Sequence, residues 1–224
     1  MRTFLAFTGV KGSGKTTAFN IIRSAYPEVV EVTLAAKLKD SCAEVFSITR
    51  TAFDDPAIKE KDMRVPVYLS QSNVEAVIKS FGFTPDFDKH VRQHIGTVLE
   101  SPRRVAQYIG TEVLRTVSEH IHCEGATMAL PNDGVFVVTD MRFPNEFSFF
   151  QEQYPDSFYP LYVANYAAEA GLGPNPHASE KYVLELAKKC ERIDNNGTIE
   201  EYQARVLSKV REILDRAGFA RRQS

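Results

Sequence analysis

The sequence has little cysteine: Cys42, Cys123 and Cys190, odd in number, far apart and with no C-x-x-C pair. That excludes a disulfide scaffold and a cysteine-rich metal knuckle, and predicts reduced, packed thiols of the cytosolic kind. Long hydrophobic runs are missing too. Near the start only Phe4 to Phe7 is continuously apolar, too short for a signal h-region or a membrane span, so a cytoplasmic protein without a membrane partner is expected. Nor does charge of one sign dominate. Lys and Arg number 27 against 29 Asp and Glu, a formal net charge of −2, which offers nucleic acid no broad basic field. Repeats and low-complexity tracts are absent, and the basic end Ala220 to Ser224 is expected to be disordered. What remains, 224 residues at 43% apolar content, is enough for one sizeable domain with an inserted lobe.

One stretch organises that domain. Gly9-Val10-Lys11-Gly12-Ser13-Gly14-Lys15-Thr16 fits G-x-x-x-x-G-K-[ST], the loop that cradles nucleotide phosphates. It follows an apolar strand candidate, Thr3 to Thr8, and opens a helix candidate through Thr17 to Ile22. Glycines let the backbone wrap closely around an oxyanion. Loop amides and the helix dipole then face the phosphates, Lys15 reaches the β- and γ-oxygens, and the Thr16 hydroxyl suits Mg²⁺. A nucleotide-binding site is the reading that fits.

Further strands are predicted at Glu28–Leu34, Gly134–Thr139, Phe158–Ala164 and Arg192–Asp194. The Gly134–Thr139 run ends in Asp140-Met141-Arg142, at the strand edge where ligands bind in open α/β sheets. Asp140 there suits a magnesium-holding acid and Arg142 a substrate phosphate; the plainer alternative is a strand-end ion pair between them. An amphipathic helix is expected over Ala36–Ile48, with Lys37 and Lys39 at its electropositive start. That placement fits either a nearby anion or two solvated lysines.

Between Thr51 and Glu100 the strand signal largely disappears. A capping box is read at Ser72-Asn73-Val74-Glu75, with Val74, Val77, Ile78 and Phe81 inward. A second helix opens at Pro85-Asp86, burying Phe87, Val91, Ile95, Val98 and Leu99. His90 and His94 then read as exposed helical histidines, since no third metal ligand is near. Ser101-Pro102 caps a helix whose apolar stripe is Val105, Ile109, Val113, Val117 and Ile121. Its polar face carries Arg104, Tyr108, Thr111 and Arg115, with Glu112 beside it: a wall for a phosphorylated base, or an ordinary solvated face. Near the end, Gly171 to Pro176 leads to His177, Ser179, Glu180 and Lys181, a lid or a surface loop, with a helix from Ser179 to Cys190. After the turn Asn195-Asn196-Gly197, a capping box at Thr198–Glu201 starts a final helix with Ile199, Tyr202, Val206, Val210, Ile213 and Ala217 inward, ended by Gly218.

This order resembles the nucleoside monophosphate kinases, and at motif level the bacteriophage deoxynucleoside monophosphate kinases. The resemblance rests on Gly9–Thr17, Ala36-Lys37-Leu38-Lys39 through Phe46, Ser101-Pro102-Arg103-Arg104 through Glu112, Val138–Glu146, His177-x-Ser179-Glu180 and Asp194–Thr198. It implies an α/β, three-layer P-loop fold with a five-stranded parallel sheet flanked by helices, a helical substrate-binding insert and a lid. The boundaries expected are a core of about 1–36 and 122–220, an insert of about 37–121 and a lid of about 165–190. The activity implied is transfer of the ATP γ-phosphoryl to a deoxynucleoside monophosphate, giving the diphosphate and ADP, in a host cytoplasm.

Carried onto these residues, Gly9, Lys11, Gly12, Ser13, Gly14, Lys15, Thr16, Thr17, Asn195 and Gly197 bind ATP, and Thr16 with Asp140 holds Mg²⁺. Lys37, Arg104, Tyr108, Thr111, Glu112, Arg115 and Arg142 take the acceptor, and Lys15, Asp140 and Arg142 form the catalytic set. No arginine lies between Asn165 and Lys189, where such kinases place lid arginines; Lys181, Lys188 and Arg192 are the cations at hand. A homodimer is a further family-level expectation. Competing readings are a small-metabolite kinase resembling dephospho-coenzyme A kinase and a nucleotide-gated regulatory protein. A switch GTPase is excluded by the lack of an Asn-Lys-x-Asp motif.

Overall fold

The computed structural model describes residues 1–173 and 178–219. Two compact units emerge, residues 1–34 with 129–224 and residues 35–128. In chain order, β1 (Arg2–Thr8), α1 (Lys15–Ala25) and β2 (Val30–Val32) open the first unit. The second unit carries α2 (Ala36–Phe46), β3 (Val67–Tyr68), α3 (Gln71–Ser80), β4 (Val98–Leu99), α4 (Pro102–Tyr108), α5 (Arg115–Val117) and α6 (Ile121–Thr127). The chain then completes the first unit with β5 (Gly134–Val138), α7 (Pro144–Gln153), β6 (Phe158–Ala164), α8 (Tyr166–Ala170), α9 (Ala178–Leu186), β7 (Glu191–Asp194) and α10 (Ile199–Arg216).

The first unit is an α/β fold around a five-stranded parallel sheet in the order β2-β5-β1-β6-β7. β1 lies at its centre, hydrogen-bonded to β5 and β6, and Phe4, Leu5, Ala6 and Phe7 are fully buried. A strand covered on both faces has no solvent side, so its sequence is a continuous apolar run and not an alternation. Leu5, Phe7, Val135, Val137, Leu161 and Val163 pack with Ala18, Phe19 and Ile22 of α1 and Tyr202, Val206, Val210 and Ile213 of α10. Side chains alternate along a strand, so Phe4 and Phe136 lie on the other face. There Phe4 meets Phe150 at 5.0 Å and Tyr154 at 4.5 Å between ring centroids, and Phe158 stacks on Phe150. Because the strands run parallel, their carboxyl ends share one edge, from which the Gly9–Gly14 loop, Asp140–Phe143 and Asn195 emerge.

The expected strands are present, though β2 spans only Val30–Val32 of the predicted Glu28–Leu34. The Thr198–Glu201 box caps α10 as read, but Ile199 is exposed on its first turn. Cys42 and Cys123 are buried free thiols, and burial pushes Cys42 up to about 12. No helix among the described residues is long and apolar enough to cross a membrane.

The second unit departs more from its sequence reading. The cap of α3 is Ser70, whose hydroxyl accepts from the Asn73 amide while the Asn73 side chain accepts from the Ser70 amide. The box is therefore two residues earlier than read, because Asn73 replaces the usual Glu. Asp86 does cap a turn, at Phe87–Val91, but that turn is wide, tightens at Arg92–His94 and then becomes β4. Ile95 and Val98 are left exposed as a result. β4 pairs antiparallel with β3 over two residues, too few for alternation to register in a sequence. His90 and His94 are buried, not exposed: the His90 ring accepts from the Asp86 amide at 3.2 Å, and His94 meets the Tyr108 hydroxyl at 3.1 Å. The helix from Ser101 does not run unbroken to Ile121; it passes through a wide turn at Ile109–Leu114 and stops after Val117.

The aromatic cluster is the packing most easily tested. Phe150→Ala removes a fully buried ring that meets four others, Phe4, Phe149, Tyr154 and Phe158, and should lower unfolding stability by about 3–5 kcal/mol in urea titration. A loss below about 1 kcal/mol would show that this face does not hold the sheet.

Candidate active site

The glycine loop takes the shape its composition allows. Gly12 and Gly14 have φ of +82° and +106°, left-handed values that other residues avoid, and a Cβ on Gly14 would overlap the Asn195 amide. Two side chains from the end of the chain hold the loop from behind. Asn195 Nδ2 donates to the Ser13 carbonyl at 2.8 Å, and the Tyr202 hydroxyl donates to the Gly14 carbonyl at 3.1 Å. Engaging these carbonyls leaves the loop's amide edge to face an anion, at the start of an 11-residue helix whose dipole adds positive potential.

Lys15 is folded onto the loop. Its Nζ donates to the carbonyls of Gly9 at 2.6 Å and Val10 at 3.0 Å. Burial, then the positive charge of Arg142, pull the Lys15 amine down to about 8, while Glu180 and Asp140 act the other way. Four charged groups, two of each sign, thus feel one another at this edge.

Asp140 leaves β5 and accepts from the Leu34 amide at 2.9 Å, which ties the strand end to the close of the β2 segment. Arg142 is set by its neighbour Glu146, buried at the start of α7, whose carboxylate accepts the Arg142 amide at 2.7 Å and the Phe143 amide at 3.0 Å. The guanidinium meets Glu180 of α9 at 3.4 Å. The other Glu180 oxygen accepts from the Lys11 amide in the loop at 3.3 Å. Asn195, Tyr202, Glu146 and Glu180 therefore shape the loop and the Asp-x-Arg segment. Of these, Tyr202 reads in sequence only as a core residue, because it acts on a loop 188 positions away, whereas Glu146 reaches amides only three and four residues back, as a box at the start of α7.

Oxygen donors for a cation are present in the form magnesium prefers. Among the described residues no three His, Cys, Asp or Glu cluster as a protein cage. The Thr16 hydroxyl, exposed on the first turn of α1, and the Asp140 carboxylate, which acts electrostatically on the adjacent Lys15, are two oxygens at one edge. Mg²⁺ keeps several waters and takes phosphate oxygens, so one or two protein donors fit it.

The remaining expected residues divide. Thr17 lies on the first turn of α1 beside Thr16, and Gly197 lies close against Glu201 at the start of α10. Lys181 is exposed on α9; His177 lies outside the described residues, as does most of the Gly171–Pro176 loop, and of Ser179 only the backbone in α9 is described. In the second unit, Arg104 and Glu112 are exposed and Arg115 is half-buried. The Tyr108 hydroxyl is engaged by His94, and Thr111 donates back to the Gln107 carbonyl at 2.7 Å. The wide turn at Ile109–Leu114 shifts the helical register, so the four residues read as one face do not keep 3.6-residue spacing. Lys37 sits over the Phe81 ring at 5.4 Å, and Lys39 pairs with Asp54 at 2.6 Å. The electropositive start of α2 is thus relieved for Lys39 by a protein carboxylate. A separate depression of about 790 Å³, bordered by Phe46, Ile58, Met63, Val65 and Tyr68, belongs wholly to the second unit.

Lys15 supplies a pH test. In ligand-free protein its side-chain carbon signals should titrate near pH 8 in NMR, and bound ATP should move that midpoint upward; an ordinary midpoint near 10.5 would overturn the buried, Arg142-coupled arrangement. The native state binds fewer protons than the unfolded chain between about 8 and 10.5, so this group's contribution to stability rises with pH across that window.

No family profile and no characterised protein sequence matches the chain. Among solved structures it is similar to the crystal structure of TT1252 from Thermus thermophilus, at a TM-score of 0.50 and 14% identity, over 95% of this chain and 98% of that one. That likeness shows the fold. The dephospho-CoA kinase from Campylobacter jejuni aligns over the same shares, also at 14% identity, with a TM-score of 0.39.

Proposed function

We propose that the chain is an ATP-dependent phosphotransferase acting on a small phosphorylated metabolite, with a deoxynucleoside monophosphate as the acceptor class. The observation that carries this is the constellation on one sheet edge: a phosphate-type glycine loop with Lys15, and an Asp-x-Arg segment whose Arg142 is electrostatically coupled to that lysine. A loop alone would fit any nucleotide-binding protein. A second fixed cation beside it suits a second phosphate.

In this reading the loop amides and Lys15 bind the β- and γ-phosphates of ATP, with Asn195 and Tyr202 keeping the loop's carbonyls turned away. Thr16 and Asp140 would hold Mg²⁺, which supplies charge neutralisation on the phosphates. Arg142, its backbone fixed by Glu146, binds the acceptor phosphate and orients it toward the γ-phosphorus. Lys37, Arg104 and Arg115 are further candidates for acceptor contacts. The acceptor oxygen needs no general base, because a phosphate is already an adequate nucleophile near neutral pH. Catalysis is then positioning, electrostatic stabilisation by Lys15 and Arg142, and exclusion of water.

The test is ADP release from Mg-ATP with dAMP, dGMP, dCMP, dTMP, their ribose counterparts and dephospho-coenzyme A. Turnover with one or more deoxy monophosphates is expected. Turnover with dephospho-coenzyme A alone would move the acceptor to another metabolite, and ATP hydrolysis indifferent to every acceptor would favour a regulatory protein. Lys15→Ala should abolish transfer with the fold intact. Arg142→Ala should reduce turnover on the acceptor about 100-fold or more while changing ATP affinity far less; the reverse ranking would place Arg142 on the donor.

A further inference from the structure

Glu180 is a buried carboxylate held by the wrong kind of partner for an ordinary surface acid. One oxygen accepts from the Lys11 amide in the phosphate loop at 3.3 Å, and the other lies 3.4 Å from the Arg142 guanidinium. An amide of a glycine loop at a helix start and a fixed arginine are both donors suited to phosphate oxygens. Glu180 is 8% exposed, and a carboxylate so placed has to be compensated. Its compensation comes from the groups assigned above to nucleotide and acceptor.

We propose that Glu180 is a built-in phosphate surrogate: its carboxylate sits on donors that a phosphate would use, the Lys11 amide and Arg142, and ATP displaces it on binding. This rests on the reading of the loop as a nucleotide site. The surrogate keeps the loop amide and Arg142 satisfied and keeps four charges balanced when no ligand is bound. Its exchange needs only a side-chain rotation. Val183, one turn further along α9, is fully buried with Val10, Tyr162 and Ala164, so the helix stays anchored while the Glu180 side chain turns outward. Displacement also releases Arg142. The arginine proposed for the acceptor is then unpaired only after the donor has arrived, which makes ATP-first binding the favoured order.

The experiment is calorimetric titration of ATP, with and without Mg²⁺, into wild type, Glu180→Gln, Glu180→Ala and Glu185→Gln. Glu185 is an exposed acid on the same helix and controls for loss of one negative charge. Circular dichroism checks each fold, and the two Glu180 variants serve as independent reports. Binding about tenfold tighter in both Glu180 variants, with Glu185→Gln unchanged, is expected. Unchanged or weaker ATP binding in the Glu180 variants, with wild type binding normally, would overturn the surrogate and leave Glu180 as a positioning residue for Arg142. No ATP binding by any of the four proteins would instead overturn the nucleotide-site reading itself.

Discussion

Two hydrogen bonds from the end of the chain decide what the beginning of it can bind. Asn195 and Tyr202 engage the carbonyls of Ser13 and Gly14, residues 182 and 188 positions earlier. A peptide unit that turns its carbonyl away from a site turns its amide toward it, so these bonds orient donors as well as satisfy acceptors. The left-handed backbone at Gly12 and Gly14 makes the same demand from inside the loop. Tyr202 also belongs to the apolar cluster under the sheet, so the loop's shape is continuous with the core of the first unit.

On that fixed loop sits a set of charges in balance without any ligand. Lys15 rests on the carbonyls of Gly9 and Val10, Glu180 spans Lys11 and Arg142, and Asp140 is held by Leu34. Donors held in this way are preorganised and need little rearrangement at the moment of reaction. The arrangement also explains how Lys15 and Arg142, two cations close enough to depress the lysine, persist together.

What could be read from sequence follows from the range of each interaction. The glycine loop, Asp140 and the Gly134–Val138 strand are local patterns, and they lie at one sheet edge as their spacing implied. The lobe was harder because its backbone leaves regular periods. A wide turn at Ile109–Leu114 shifts the register and α5 stops after Val117, so the stripe from Val105 to Ile121 still faces the core, with Ile121 buried and Val117 packed against it, but not as one continuous helix. His90 and His94 carry helical spacing, yet a wide turn gives way to a tight one between them and both residues are buried. Glu180 showed only as part of a His-x-Ser-Glu pattern, because its contact with Lys11 closes over 169 residues and leaves no periodic trace.

The central position of β1 bears on how the chain is made. Its neighbours in the sheet, β5 and β6, begin at Gly134 and Phe158, whereas residues 35–128 form a compact unit of their own. At ribosomal rates of about 5–20 residues per second, the first strand waits on the order of ten seconds for a partner. During that interval the Phe4–Phe7 run, fully buried in the folded chain, is a bare apolar segment with both edges unpaired. A sheet threaded from its middle strand outward thus encloses its central strand late, since β1 is paired on both edges only when Phe158–Ala164 has been made.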